Sequence, residues 1–417
     1  MARSAAAAMA AATMLLCGIG AEAQNSTSSP YSMYGIGVIN TKEDVAAAGL
    51  GHSGIALAPS EWLNISNPAG INRLDSLSFY FNINLKGFYA REESGYEKAS
   101  IYSANIDGIS LGFRGRKWLA FAVGYAPFSS VGYKLEEEKY IVGSGEKYRV
   151  QYTGSGGLSQ AYFNAAVTLF NHWSLGGNFS VLWGTIEKLE SSYFSEAIGG
   201  EDIFNKRKYQ ANNIYWEVGT QFDFNIGENN FRFGAVYAPE IWLHTSYDQI
   251  VYNNVSSELE HDASTPDRFR VPRMYGAGFT YQRGKLLGTV EYKVSEWGEI
   301  EDTKFKDRAD FRNTYTISGG LQYSPGSPDS PFYKRMRYRA GFFYGRDYID
   351  LQEANLMQSG FSLGITVPIG RSLNAITVAY EHQHRGTQSF GMIEENINTF
   401  KLGFNIREIW FMRHKFD

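Results

Sequence analysis

The feature that most constrains this chain is a two-residue hydrophobic period that recurs about fourteen times between residue 77 and the C-terminus. In its first occurrence, Leu77, Phe79, Phe81, Ile83 and Leu85 alternate with Ser78, Tyr80, Asn82, Asn84 and Lys86. A strand sends alternate side chains to opposite faces, so one face is apolar and the other carries amides and an ammonium group. Leu175, Phe179, Val181 and Trp183 oppose Ser174, Asn178 and Ser180 in the same way. Further on, Ile214, Trp216, Val218, Phe222 and Phe224 oppose Tyr215, Glu217, Gln221, Asp223 and Asn225. Val290, Tyr292 and Val294 oppose Glu291, Lys293 and Ser295, and Phe400, Leu402, Phe404 and Ile406 oppose Lys401, Asn405 and Arg407. A soluble sandwich shows such alternation in any single strand. The series is more specific, because ionisable groups sit in mid-strand on the polar faces and the apolar faces end in Tyr or Trp. A bilayer-spanning barrel has this pattern, with lipid outside, a polar lumen inside and aromatic girdles at both interfaces.

The N-terminus reads as an export signal. Arg3 supplies the positive end, Ala5 to Leu16 the apolar stretch, and Ala21-Glu22-Ala23 a small-x-small cleavage site, giving a mature chain from Gln24. Cys17 follows Leu16, which is too large for the usual lipid-attachment pattern. It is the only cysteine and leaves with the signal, so the mature chain offers neither a disulfide nor a thiolate metal site. No run of eighteen apolar residues follows, which excludes a spanning helix and leaves a soluble protein or a closed barrel. The composition agrees with the barrel: 28 Tyr, 28 Phe and 44 Gly against 11 Pro suit strands and turns. A net charge of -4 argues against a nucleic-acid partner.

The expected fold is therefore all-β: a transmembrane antiparallel β-barrel of about 14 strands over 77–417, after a signal peptide at 1–23 and an N-terminal luminal hatch at 24–76. The expected strands are 77–91, 103–115, 118–136, 158–170, 173–188, 208–225, 230–250, 272–283, 285–299, 311–323, 335–347, 358–369, 373–386 and 395–413. Their connections alternate between short turns and long polar loops at 137–157, 189–207, 251–271, 300–310 and 387–394. Short turns mark the periplasmic end. The Pro-rich segment Ser324 to Lys334 falls on that end yet is long.

Candidate site residues lie in the hatch and on the third strand. The hatch region Tyr31 to Ile71 is rich in Gly and Ala and carries one short helical piece, Glu43 to Leu50. Asn67, Pro68 and Gly70 of Asn-Pro-Ala-Gly suit either a hatch anchor or a plain structural corner, since Pro fixes φ and Gly permits a tight turn. Tyr125, Pro127 and Phe128 sit partway up the third strand. Pro cannot donate to a ladder, so this point suits a lateral opening or an ordinary strand end. Tyr237-Ala238-Pro239 repeats the pattern at similar height and favours the second reading. Gly49-Leu50-Gly51-His52-Ser53-Gly54 spells a dinucleotide fingerprint but follows a helical piece in an exported chain, so it reads as hatch packing. His382 and His384 face outward without a third metal ligand and suit lipid headgroups. Glu136-Glu137-Glu138 reads as a solvated loop face. The luminal Glu217, Asp223, Glu291 and Lys293 are expected to satisfy one another and the hatch. No catalytic constellation, metal site or cofactor motif stands out; scattered His and the absence of a Gly-x-Ser-x-Gly elbow argue against an enzyme.

In this setting the chain resembles the FadL/TodX family of outer-membrane transporters for hydrophobic compounds, most closely the versions of Bacteroidetes-type Gram-negative bacteria. The likeness rests on Asn64-Ile65-Ser66-Asn67-Pro68-Ala69-Gly70, on Val271-Pro272-Arg273-Met274-Tyr275-Gly276 running to Val290-Glu291-Tyr292 and Trp297, and on Phe404-Asn405-Ile406-Arg407-Glu408-Ile409-Trp410-Phe411. The resemblance implies passive uptake of a fatty-acid-like or aromatic molecule, bound in the plugged lumen and released sideways through the third strand into outer-membrane lipid. It also implies an alternative, because FadL-like barrels serve as subunits of larger outer-membrane machines for export or barrel assembly, with outer-membrane protein partners. A water-filled porin is disfavoured by the hatch. The chain departs from the usual aromatic end signal, since Phe416 is penultimate and Asp417 last.

Overall fold

The computed structural model describes residues 29–409, apart from 96, 144, 195–198, 256–258, 301–308, 327–329, 352–353, 371–373 and 390–391. The signal peptide, Phe416 and Asp417 lie outside the described residues. An inner segment comes first: a 3₁₀ turn Pro30–Met33, strand β1 (Val38–Ile39), helix α1 (Val45–Ala48) and a 3₁₀ turn Pro68–Arg73. The wall begins with β2 (Ser78–Ser94), β3 (Glu97–Arg116), β4 (Leu119–Tyr140), β5 (Lys147–Leu169), β6 (Trp173–Tyr193) and β7 (Ile203–Ile226). It continues with β8 (Asn229–Ala238), β9 (Ile241–Asn253), β10 (Glu260–Val271), β11 (Met274–Arg283), β12 (Leu286–Ser295), β13 (Asp310–Phe311) and β14 (Thr314–Tyr323). It closes with β15 (Arg337–Leu351), β16 (Ala354–Pro368), β17 (Ala375–Arg385) and β18 (Glu394–Ile409).

Three wall strands are interrupted once each, at β8/β9, β10/β11 and β13/β14, so the wall has 14 antiparallel strands. Pro239 and Pro272 stand in the first two interruptions, where the missing N–H removes a rung. Antiparallel pairing of β18 with β2 closes the ring. No described helix is long and apolar enough to cross a membrane; the strands do so.

The alternation falls as the sequence reading expects. On β6, Trp173, Phe179, Val181 and Trp183 are exposed outside, whereas Ser174, Asn178 and Ser180 are buried inside. Ile214, Trp216, Val218 and Phe222 of β7 are exposed, with Tyr215 buried behind them. Trp173 and Trp183 are ten positions apart, close to the strand length that crosses an apolar band. His382 and His384 are partly exposed, and His382 packs on Phe361 of the outer wall.

One correction concerns strand length. β5 begins at Lys147 rather than 158, β7 at Ile203 rather than 208, and β10 turns the expected loop 251–271 largely into strand. Glu136, Glu137 and Glu138 therefore lie on the end of β4 and not in a loop. These extensions stand on the order of 20–30 Å beyond the aromatic row at Trp183. Water bathes that height, so the chain needs no apolar face there, and a polar strand resembles a loop in sequence. Cross-strand pairs hold it instead: Lys147–Glu138 at 2.9 Å, Lys206–Glu187 at 3.1 Å, and rings of Tyr193, Phe204 and Tyr252 at 6.1 and 5.1 Å.

Candidate functional site

The inner segment packs against the inner face of the wall, and charges tie it there. Lys42 pairs with Glu217 of β7, Arg73 with Asp223 of β7, Arg337 of β15 with Glu61, and Arg407 of β18 with Asp75. Gly54 and Ile55 donate their backbone N–H groups to Glu291 at 2.7 and 2.9 Å, and Lys293 lies 3.7 Å from the same carboxylate. The four luminal charges singled out in the sequence thus satisfy one another and the inner segment, as a low-dielectric interior demands.

A second charge cluster was not legible in the sequence. Lys401 of β18 reaches Glu43 at 2.8 Å and Asp107 of β3 at 3.5 Å. His52 bridges Glu43 at 2.7 Å and Glu381 of β17 at 3.1 Å. Burial alone would lower the imidazole pKa, but the two carboxylates outweigh it and raise it to about 10. His52 therefore donates from both ring nitrogens. Its backbone is left-handed, with φ 65°, an uncommon conformation outside Gly that the surrounding contacts hold. The glycine-rich stretch around it is packing, as expected: a Cβ at Gly51 would lie 2.4 Å from the Phe342 carbonyl oxygen.

The Asn-Pro-Ala-Gly corner lies against the wall. The Asn67 amide donates to the carbonyls of Ile55 at 2.7 Å, Thr220 at 3.3 Å and Ala235 at 3.4 Å, while its Oδ1 accepts from Ala69 N–H at 2.9 Å. Pro68 starts the 3₁₀ turn, and the Gly70 N–H donates to the Asn67 carbonyl at 2.8 Å. The wall yields a glycine where this corner touches it: a Cβ on Gly219 would lie 2.0 Å from Asn67 Oδ1. Asn67→Ala removes a cap and strands buried acceptors, so unfolding stability should fall by about 1–3 kcal/mol in urea titrations of the refolded barrel. Asn67→Asp keeps the cap acceptor but turns a buried carboxylate oxygen toward those three carbonyls, so it should lose at least as much.

The third wall strand is β4, and its seam with β3 is incomplete. The ladder runs from Arg116↔Leu119 to Ile109↔Tyr125 and goes no further among the described residues. Tyr125 closes it, with its hydroxyl 3.0 Å from Ser159 and its ring 6.1 Å from that of Trp183. Just above, Pro127 sits at a register shift against β5. Phe128 turns inward against Tyr215 at 5.8 Å. The free edge of β4 is taken by the inner segment: β1 pairs Val38↔Ser130 and Ile39↔Ser129, and the N–H of Asn40 donates to Phe128 at 3.0 Å. Tyr237-Ala238-Pro239 differs, since beyond it β9 resumes pairing with β10 from Ile241 and with β7 from His244.

Two other regions complete the lumen. Toward the end with the tall strands, Phe128, Tyr209, Tyr247, Phe269, Trp297 and Tyr348 belong to one buried apolar cluster, in which Trp297 and Tyr348 stack at 4.4 Å. Beside it lies a chamber of about 360 Å³ whose lining includes Lys42, His52, Asp107, Glu217, Glu381 and Lys401. Among the described residues no group of three or more metal-ligating side chains occurs.

The closed 14-stranded antiparallel wall has the fold of solved outer-membrane hydrocarbon channels. The chain is similar in fold to the CymD monoaromatic hydrocarbon channel, with 13% identity, 88% of this chain and 97% of that one covered, and a TM-score of 0.57. It is similar also to the Ralstonia pickettii toluene transporter TbuX (13% identity, 88% and 99% covered, TM-score 0.58). The Pseudomonas putida toluene transporter TodX gives 12% identity, 90% and 100% covered, and a TM-score of 0.54. No curated protein matches the chain. The family model described as BamG matches residues 6–417, and the chain belongs to the BamG family.

Proposed function

We propose that this protein is a sealed outer-membrane barrel that works as a subunit of a larger outer-membrane assembly. In this reading residues 24–76 are its hatch, anchored by Asn67, Pro68 and Gly70. One observation carries it: the chamber in the lumen is small, about 360 Å³, and buried ion-paired charges such as Lys42, Glu217, Glu381 and Lys401 interrupt its apolar lining of Phe128, Trp297 and Tyr348. Burying a hydrophobic compound gains on the order of 0.8 kcal/mol per CH₂ only against apolar walls. Here such a compound would displace buried ion pairs instead. Membership of the BamG family agrees with this reading, because its name points to outer-membrane partners and FadL-like barrels serve as subunits of barrel-assembly machines. The reading needs no cofactor and no catalytic group, and it leaves lipid on the outer wall. Affinity capture from gently solubilised membranes should return a stoichiometric set of outer-membrane proteins. A lone barrel holding fatty acid or detergent in its lumen, seen by native mass spectrometry, would overturn it.

A second reading, passive uptake with lateral release, is favoured by the β3–β4 seam. In it, a hydrophobic molecule leaves beside Tyr125, Pro127 and Phe128 into the lipid. The structural neighbours CymD and TbuX, a monoaromatic hydrocarbon channel and a toluene transporter, fit this reading. Pro127→Ala restores a backbone donor at the register shift. If uptake is the function, entry of labelled oleate or toluene into cells should fall several-fold in that variant. If the chain is a sealed subunit, entry should match that of cells lacking the gene.

A further inference from the structure

The short-turn end of the barrel, which faces the periplasm in outer-membrane barrels, opens into a basin of about 1200 Å³ beneath the inner segment. Its lining carries six cations, Arg73, Arg232, Lys285, Arg335, Arg337 and Arg407, against three carboxylates, Glu61, Asp75 and Asp223. The carboxylates are already used. Arg73 pairs with Asp223, Arg337 with Glu61 and Arg407 with Asp75. Arg232 stands across the ladder from Asp223, which Arg73 already engages, and Lys285 and Arg335 have no carboxylate within ion-pair distance among the described residues. Arg232 Nε is buried with no hydrogen-bond partner, as is Arg335 Nε, although Arg335 Nη1 donates to the Gly370 carbonyl at 2.5 Å. The long Pro-rich connection supplies part of the rim, through Ser324, Pro325, Ser330 and Arg335. Its length on the short-turn side had no role in the fold.

We infer that this basin is a docking site for an acidic polypeptide segment of a periplasmic partner. This rests on the subunit reading above and names the partner's chemistry. An excess of three cations over carboxylates in a recess with low-dielectric walls focuses a positive potential that favours an anionic ligand. The volume is far beyond that of one phosphate. The recess lies on the inner face of the wall, away from lipid, and Leu57, Trp62 and Leu287 give it apolar ledges. Those features fit a peptide with acidic and apolar side chains better than a free anion or a lipid headgroup.

The test uses the full barrel in detergent and a fluorescent twelve-residue Asp/Glu/Leu peptide, with a Lys/Arg/Leu peptide as control. The acidic peptide should bind and weaken at least tenfold between 50 and 500 mM NaCl. It should weaken at least tenfold again in Arg232→Gln/Lys285→Gln/Arg335→Gln. Lys285→Gln/Arg335→Gln, at the rim, guards against a folding defect at Arg232 and should show an intermediate loss. Heat-modifiable gel mobility checks that each variant is folded. Equal binding of both peptides, no loss in the variants, or full competition by millimolar phosphate would overturn the inference, the last assigning the basin to a free anion. Vesicles of anionic phospholipid that compete as well as the peptide would overturn it in favour of a lipid. If membranes yield the same partner set with the triple variant as with the wild type, the basin inference falls and the subunit reading stands. If neither yields a partner set, the subunit reading falls and takes the basin's partner with it.

Discussion

Lys401→Met should lower the unfolding free energy of the barrel by about 3–5 kcal/mol, the usual cost of leaving a buried charge without its counter-ion. The Lys401, Glu43 and Asp107 side chains are 7%, 1% and 7% exposed, so water cannot replace the lost ammonium group. After substitution His52 still pairs with Glu43 and Glu381, but Asp107 loses its ion pair. The check is urea unfolding of the protein refolded into lipid, read by Trp fluorescence and gel mobility. Glu43→Gln in the same background should return part of the loss, because it removes one carboxylate that has lost the ammonium group. A Lys401→Met barrel as stable as the wild type would mean that the cluster is solvated and that the inner segment is not held as described.

The second large effect is expected from Gly219→Val. Even the first carbon of a side chain there would sit 2.0 Å from Asn67 Oδ1 and 2.9 Å from Pro68 Cδ. Asn67 Oδ1 is held by the Ala69 N–H and Pro68 Cδ by its ring, so the inner segment has to move off the wall. The wild-type protein should form no stable ion-conducting openings in planar bilayers. The variant should conduct, and cells carrying it should admit large antibiotics that the outer membrane normally excludes. Gly177→Val is the control, since nothing lies within 4 Å of a Cβ there; it should stay closed. Equal conductance in all three would refute the hatch role proposed for residues 24–76.

Much of this protein was legible in the sequence. The side-chain period of a strand is two whatever lies around it, so Phe79, Trp183, Trp216 and Val290 could be assigned to the outer wall and Ser180, Glu217 and Glu291 to the lumen from their spacing alone. The strand number followed from counting such stretches, and the Asn67-Pro68-Gly70 corner announced itself because its backbone demands are local. The polar strand ends at 147–157 and 260–271 were not legible, since above the lipid no solvent contrast imprints a period.

The sequence by itself determined a closed 14-stranded wall, because lipid on one face and water or protein on the other writes a short-range pattern into every strand. The tertiary structure alone decided that Lys401 meets Glu43, that His52 lies between two carboxylates, that β4 exchanges β3 for β1 above Tyr125, and that cations outnumber carboxylates in the basin at the short-turn end. Those facts depend on which strands face one another across the lumen and on the path of the inner segment between them. Coulomb pairing acts across space between residues as much as 358 positions apart, and no local period records it.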